Sequence, residues 1–139
     1  MATTMRDVMS PAPACLTAAD SVYAAAQAMT EHGTGTVLVL TEGKLSGILT
    51  DLDIAARVLA ENRDARTVRI GDICSPVVAV LSPGDYVQAA ARLVRERGVR
   101  RIPILHEGTI VGVVCAADLA VTPEETSMLS AVAAAPPGL

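Results

Sequence analysis

The chain has no tryptophan and no phenylalanine, and its only aromatic residues are Tyr23 and Tyr86. Yet 51% of its residues are apolar, so the core must be assembled from Ala, Val, Leu, Ile and Met. Small side chains of this kind favour close approach of helices to strands. The missing aromatics also remove the stacking platforms used to bind single-stranded nucleic acid. A formal net charge of −4 removes the general positive field on which phosphate-backbone binding rests. Cysteines are sparse: Cys15, Cys74 and Cys115 stand far apart, in no CxxC or Cys/His spacing. Free thiols in a reducing compartment are expected, with no disulfide framework and no zinc site. No apolar run approaches the roughly 20 residues of a membrane helix, and the leading Met1–Asp7 stretch lacks the apolar core of a signal peptide. The expectation is a cytoplasmic protein with neither a nucleic-acid nor a membrane partner. His32 and His106 belong to no triad-like grouping, so no catalytic residue and no metal ligand is expected.

What is present is an internal repeat. Displaced by 65 positions, the chain falls on itself without a gap: Asp7, Ser10 and Pro11 meet Asp72, Ser75 and Pro76. Farther along, Glu31, Gly33, Gly43, Gly47 and Asp53 meet Glu96, Gly98, Gly108, Gly112 and Asp118. Each copy opens with a short apolar segment (14–16, 79–81) that predicts a strand, followed by Asp20 or Asp85 as the expected helix N-cap. Apolar residues then recur at Val22, Ala25, Ala26, Met29 and at Val87, Ala90, Ala91, Val94. That spacing predicts one buried helix face, ended by Gly33 and Gly98 at positions that want a positive φ. Segments 37–40 and 45–49 flank Glu42-Gly43, and 102–105 and 110–114 flank Glu107-Gly108, as two hairpins. A second helix follows at about 52–60, and a shorter one near 118–121. The expected division is a first repeat over 5–61, a linker over 62–69, a second repeat over 70–121, and a C-terminal helix and tail over 122–139. The last opens at Thr122-Pro123-Glu124-Glu125 and ends at Pro136-Pro137-Gly138.

The order strand, helix, strand, strand, helix, made twice, resembles the CBS domain pair, or Bateman module. The residues that carry the likeness are Asp7-Val8-Met9-Ser10-Pro11 and Gly47-Ile48-Leu49-Thr50-Asp51-Leu52-Asp53 in the first copy. In the second they are Asp72-Ile73-Cys74-Ser75-Pro76, Arg100-Arg101-Ile102-Pro103 and Gly112-Val113-Val114-Cys115-Ala116-Ala117-Asp118. The resemblance implies an α/β (α+β) fold of two tandem βαββα repeats related by a pseudo-twofold axis. It implies no enzyme, but a regulatory module holding AMP, ADP, ATP or S-adenosylmethionine in an inter-repeat cleft. Homodimers and an unidentified regulated protein are the implied partners, and the adenosine compound is a regulatory ligand in place of any cofactor. The rival reading is a structural or protein-interaction module whose clefts are vestigial.

The residues themselves support a ribose site. Two vicinal hydroxyls want an acceptor of two hydrogen bonds, which a carboxylate supplies. Asp53 stands in the first turn of the helix that Thr50 is placed to cap, where free N–H groups favour anions; capping alone would also account for both. By resemblance, the phosphate-binding residues of that site are Arg100 and Arg101, and the adenine lies against the main chain of Val78, Ala79 and Val80. The opposite site is poorer. It keeps Asp118, but Cys115 stands where Thr or Ser is expected, and its phosphate position is Thr34-Gly35-Thr36, with no basic residue. Cys15 lines it by resemblance, and a redox exchange between Cys15 and Cys115 is conceivable, although buried small cysteines are the commoner case. One competent site is expected, with the other weaker, empty or selective for a less phosphorylated ligand.

Overall fold

The computed structural model describes residues 3–121, apart from the side chains of Asp118, Ala120 and Val121. The C-terminal helix and tail expected over 122–139 lie outside the described residues. In chain order the elements are α1 (Met5–Val8), β1 (Ser10–Pro11), β2 (Cys15–Thr17), α2 (Val22–His32), β3 (Thr36–Thr41) and β4 (Lys44–Thr50). There follow α3 (Asp51–Ile54), extended by a wider π-type turn (Ala55–Leu59), then α4 (Ile70–Ile73) and β5 (Ser75–Pro76). The second copy supplies α5 (Val87–Arg97), β6 (Arg101–His106), β7 (Thr109–Cys115) and a 3₁₀ turn (Ala116–Val121). This is the mixed α/β architecture of two tandem βαββα repeats.

Two compact units result, and they exchange their leading segments. The continuous unit is Pro13–Val77; the split unit joins residues 3–12 to 78–121. In the continuous unit the strand order is β2-β3-β4-β5, with β2 parallel to β3 and the other pairs antiparallel. In the split unit the order is β1-β7-β6, antiparallel throughout. Thus β1, which opens the first copy, pairs with β7 of the second through Ser10↔Val113 and Pro11↔Gly112. Sixty-five residues on, β5 opens the second copy and pairs with β4 of the first through Ile48↔Ser75 and Gly47↔Pro76.

The long helices form where the apolar spacing predicts. On α5, Val87, Ala90, Ala91 and Val94 are all buried; on α2, Val22, Ala25 and Met29 are, with Ala26 half-buried. Alanines on these faces let the helices settle against sheets whose inward residues include Val37, Val39 and Leu49, or Ile102, Ile104 and Val114. Each such aliphatic residue stabilises the fold by roughly 1.5–3 kcal/mol through area removed from water. Both helices end at a left-handed glycine, Gly33 at φ 63° and Gly98 at φ 69°. The hairpin turns have positive φ at both central positions, 53° and 77° for Glu42-Gly43 and 50° and 80° for Glu107-Gly108, matching the twist of the flanking strands.

Two local expectations are corrected. Asp20 and Asp85 do not cap the helices. Each carboxylate instead closes the turn before its helix, accepting from Thr17 N at 2.9 Å and from Ser82 N at 2.7 Å. The N-caps are one residue later, at Ser21 and Tyr86, and Ser21 Oγ accepts from Ala24 N at 3.1 Å. The strand expected over 79–81 is also missing; only Leu81 bridges to β6, at Ile104. The cause is legible in the repeat. Leu38 N donates to Ala14 O at 3.0 Å in the first copy, and the counterparts of these residues are Pro103 and Ala79. Proline has no N–H to give, so the bond that anchors β2 has no equivalent.

The leading segments dock on glycine. A Cβ at Gly112 would stand 2.5 Å from the Ser10 carbonyl oxygen and 2.8 Å from Met9 Sδ; one at Gly47 would stand 3.0 Å from both Cys74 Sγ and Ser75 O. Backbone cannot yield as a side-chain tip can, so Gly112→Ala is expected to destabilise the chain by about 1–3 kcal/mol in urea denaturation. Gly84→Ala, with nothing within 4 Å of its Cβ, is the control and is expected to change stability by less than about 0.5 kcal/mol. Equal effects would refute close docking of β1.

Candidate functional site

The end of β4 and the start of α3 form a reciprocal cap. Asp53 N donates to Thr50 Oγ1 at 3.2 Å, and Thr50 N donates to Asp53 Oδ2 at 2.9 Å. The Thr-x-x-Asp spacing gives this result because a residue three positions into a helix reaches back to the cap's own N–H. Asp53 is 9% exposed, yet among the described residues its second carboxylate oxygen has no hydrogen bond. The Thr50 hydroxyl accepts in the cap, and its proton remains available to donate. The pair therefore presents an acceptor and a donor side by side, the complement of a vicinal diol.

Two neighbours of this pair were not singled out from the sequence. Arg57, one helical turn beyond Asp53, is half-buried and donates Nη1 to the Ile73 carbonyl at 3.0 Å. The i, i+4 spacing of Asp53 and Arg57 was the available signal. Cys74, beside Gly47, is half-buried. Burial pushes its thiol up, the charge of Asp53 adds to the rise, and the Arg57 guanidinium opposes it. Desolvation also pushes the Cys15 thiol up. Neither has the low pKa of a reactive thiolate, which weighs against the redox exchange entertained for Cys15. Cys15, Cys74 and Cys115 form no disulfide.

Thr36, assigned to the weaker site, is buried at the head of β3 and is the cross-strand partner of Thr50. Cys15 is exposed at the head of β2, its thiol 3.8 Å from the Pro13 carbonyl. In the split unit, Arg101 is the first residue of β6 and the cross-strand partner of Cys115, the last of β7. Arg101 is half-buried, and its Nε is a buried polar atom without a hydrogen-bond partner among the described residues. Arg100 precedes it, half-buried, and its carbonyl accepts from Ala116 N at 2.9 Å. Val78 and Val80 are 51% and 44% exposed, with Ala79 half-buried between them. Asp118 lies in the 3₁₀ turn, and its side chain is outside the described residues. The structure thus joins Thr50 to Asp53 and to Thr36 within one unit, and Arg101 to Cys115 within the other. Among the described residues, no three His, Cys, Asp or Glu side chains are grouped to hold a metal ion. No helix among them is long and apolar enough to cross a membrane.

Doubled repeats, the first with a capped acidic turn after its hairpin, define a family of paired modules, and the CBS domain model matches residues 5–60 and 70–125. The chain belongs to the CBS domain family. It is 32% identical over 117 residues to the CBS domain-containing protein YhcV of Bacillus subtilis, covering 84% of this chain and 83% of that one. It is 33% identical over 119 residues to hypoxic response protein 1 of Mycobacterium tuberculosis, covering 85% and 83%. Among solved structures it is similar to the CBS domain pair of protein MJ0100 in complex with 5′-methylthioadenosine and S-adenosyl-L-methionine. There the TM-score is 0.73 at 25% identity, with 86% of this chain and 94% of that one covered.

Proposed function

We propose that the chain is a cytoplasmic regulatory module that binds an adenosine-containing ligand and reports its level to a partner protein. Thr50 and Asp53 hold the ribose hydroxyls, Arg100 and Arg101 take the phosphate or other anionic group, and the main chain of Val78, Ala79 and Val80 meets the base. The observation that supports this most is Asp53 itself: a buried carboxylate with one oxygen fixed by Thr50 N–H and the other without a hydrogen bond among the described residues. The Arg101 Nε, buried without a hydrogen-bond partner among the described residues, supports an anion-binding role for that arginine, because an unpaired buried donor costs about 1–3 kcal/mol until it is satisfied. The likeness to a pair that binds S-adenosyl-L-methionine and 5′-methylthioadenosine favours an adenosine group over other diols. The weaker position around Asp118, Cys115, Cys15 and Thr36 takes a less charged ligand or none. The reading assigns binding and conformational signalling, with no catalysis; the ligand acts by preferring one conformation of the chain over another.

The completed cap favours one rival, a structural or interaction module in which Thr50 and Asp53 serve only the helix. A thermal-shift panel of AMP, ADP, ATP and S-adenosylmethionine separates the two. At a ligand concentration 100 times Kd, binding adds about 2.7 kcal/mol to apparent stability, so at least one compound is expected to raise Tm by several degrees. No shift with any of the four leaves the structural reading. Steady hydrolysis of ATP by the pure chain would overturn both.

A further inference from the structure

The two copies differ where the chain enters each sheet. In the first copy a bond on either side of Leu16 holds β2 along β3: Leu38 N donates to Ala14 O at 3.0 Å, and Ala18 N donates to Leu40 O at 3.2 Å. Sixty-five residues on, both donors are prolines, Pro103 for Leu38 and Pro83 for Ala18. Proline has no N–H, so only the bonds of Leu81 itself remain, from Leu81 N to Pro103 O at 3.1 Å and from Leu105 N to Leu81 O at 2.9 Å. The backbone just upstream is left open. Among the described residues, the N–H and C=O groups of Ala79 and Val80 and the N–H of Val78 have no hydrogen bond. The Val78 carbonyl has only a long one, 3.5 Å from Arg97 Nη1. Main chain is rarely left in this state unless water or a ligand completes it. Ala79, half-buried between exposed Val78 and Val80, offers one donor and one acceptor amid apolar surface. A 6-aminopurine carries the complement, an amino donor beside a ring-nitrogen acceptor, whereas a 6-oxopurine has an acceptor oxygen in place of the amino group.

We infer that Pro103 determines specificity for the base: it withholds from Ala79 O the N–H that Leu38 gives to Ala14 O, and the freed carbonyl selects a 6-aminopurine. This rests on the proposed ligand reading and adds a selectivity to it, for adenine over bases with oxygen at the same position. It also gives the asymmetry of the two copies a second cause. At Ala14, the counterpart of Ala79, the carbonyl is already taken by β3.

Calorimetric titration of the wild-type chain, Pro103→Leu and Pro83→Ala tests it, with AMP and with purine riboside 5′-monophosphate, which lacks only the 6-amino group. The wild type is expected to bind AMP about three- to tenfold more tightly than the analogue, the worth of one hydrogen bond. Pro103→Leu brings back the residue type of the first copy and its N–H. It should weaken AMP binding by the same factor, leave the analogue nearly unchanged, and slow hydrogen exchange of the amide at position 103. Pro83→Ala restores an N–H on the far side of Leu81 and should keep the wild-type preference. A merely structural role for Pro103 would weaken both nucleotides alike, and that result would overturn the inference. So would a wild type that binds the two equally, an outcome that needs no variant to fold and leaves the ligand reading standing. A wild type whose Tm rises with none of the four adenosine compounds would overturn the ligand reading as well.

Discussion

Replacing Asp53 by alanine should weaken binding of the adenosine ligand by about 10- to 100-fold in titration calorimetry. The magnitude follows from the loss of hydrogen bonds to a charged acceptor, worth about 1.5–3 kcal/mol, which converts to this range at roughly 1.4 kcal/mol per decade. The substitution also removes the acceptor for Thr50 N–H, so the chain should lose about 0.5–2 kcal/mol of stability as well. Asp53→Asn separates the two consequences. Asparagine at this third helical position keeps a carbonyl oxygen to accept from Thr50 N–H, so the helix start survives, while the charge and the free acceptor oxygen are gone. Its expected result is near-wild-type stability with binding as weak as in Asp53→Ala. If Asp53→Asn binds like the wild type, the carboxylate serves the cap alone. Asp118→Ala should matter much less, because Cys115 stands where the first copy has Thr50 and the Thr34-Gly35-Thr36 position carries no basic residue. Equal losses at Asp53 and Asp118 would refute the asymmetry between the sites.

The second large effect lies far from any ligand. Met5→Ala should cost about 2–5 kcal/mol, the range for deleting a large buried aliphatic side chain, although the residue stands close to the start of the chain. Met5 is 0% exposed and packs with Val87, Ala90, Ile102 and Ile104 in the core of the split unit. Its N–H is held by the Asp85 carbonyl at 2.8 Å, and Arg6 N by the Pro83 carbonyl at 3.0 Å. With about 4 °C of Tm per kcal/mol in a chain of this size, the melting temperature should fall by roughly 8–20 °C. A loss under 1 kcal/mol would mean that the leading segment is a loose flap over the second copy.

Much of this molecule was readable in its sequence, for reasons that differ between fold and site. The helix faces of Val22 and Val87, the hairpins at Glu42-Gly43 and Glu107-Gly108, and the glycine ends of α2 and α5 are local patterns, each written in contiguous residues. Ser10-Pro11 and Ser75-Pro76 are too short to carry a period, so nothing local says which sheet they join. The missing strand over 79–81 needed knowledge of its neighbour, because the proline responsible sits on β6. Asp20 and Ser21 are both good caps, and turn closure against Thr17 chose between them. At the site, Thr50 and Asp53 were visible as a spacing. Cys74 comes near them only through the sheet pairing of β4 with β5, and the grouping of Arg100 and Arg101 with that pair rests on family likeness.

The exchanged leading segments also bear on how the chain is made. Domains fold as units, amino-terminal first, while synthesis proceeds. Here residues 3–12 belong to a unit whose remaining described residues begin at Val78, whereas Pro13–Val77 can close as soon as Val77 has left the ribosome. The growing chain must carry Met5 exposed through that interval, and it finds its place only when β7 arrives. Cutting the gene between the two repeats would therefore yield two fragments, each lacking a piece of its own sheet and holding a piece of the other's.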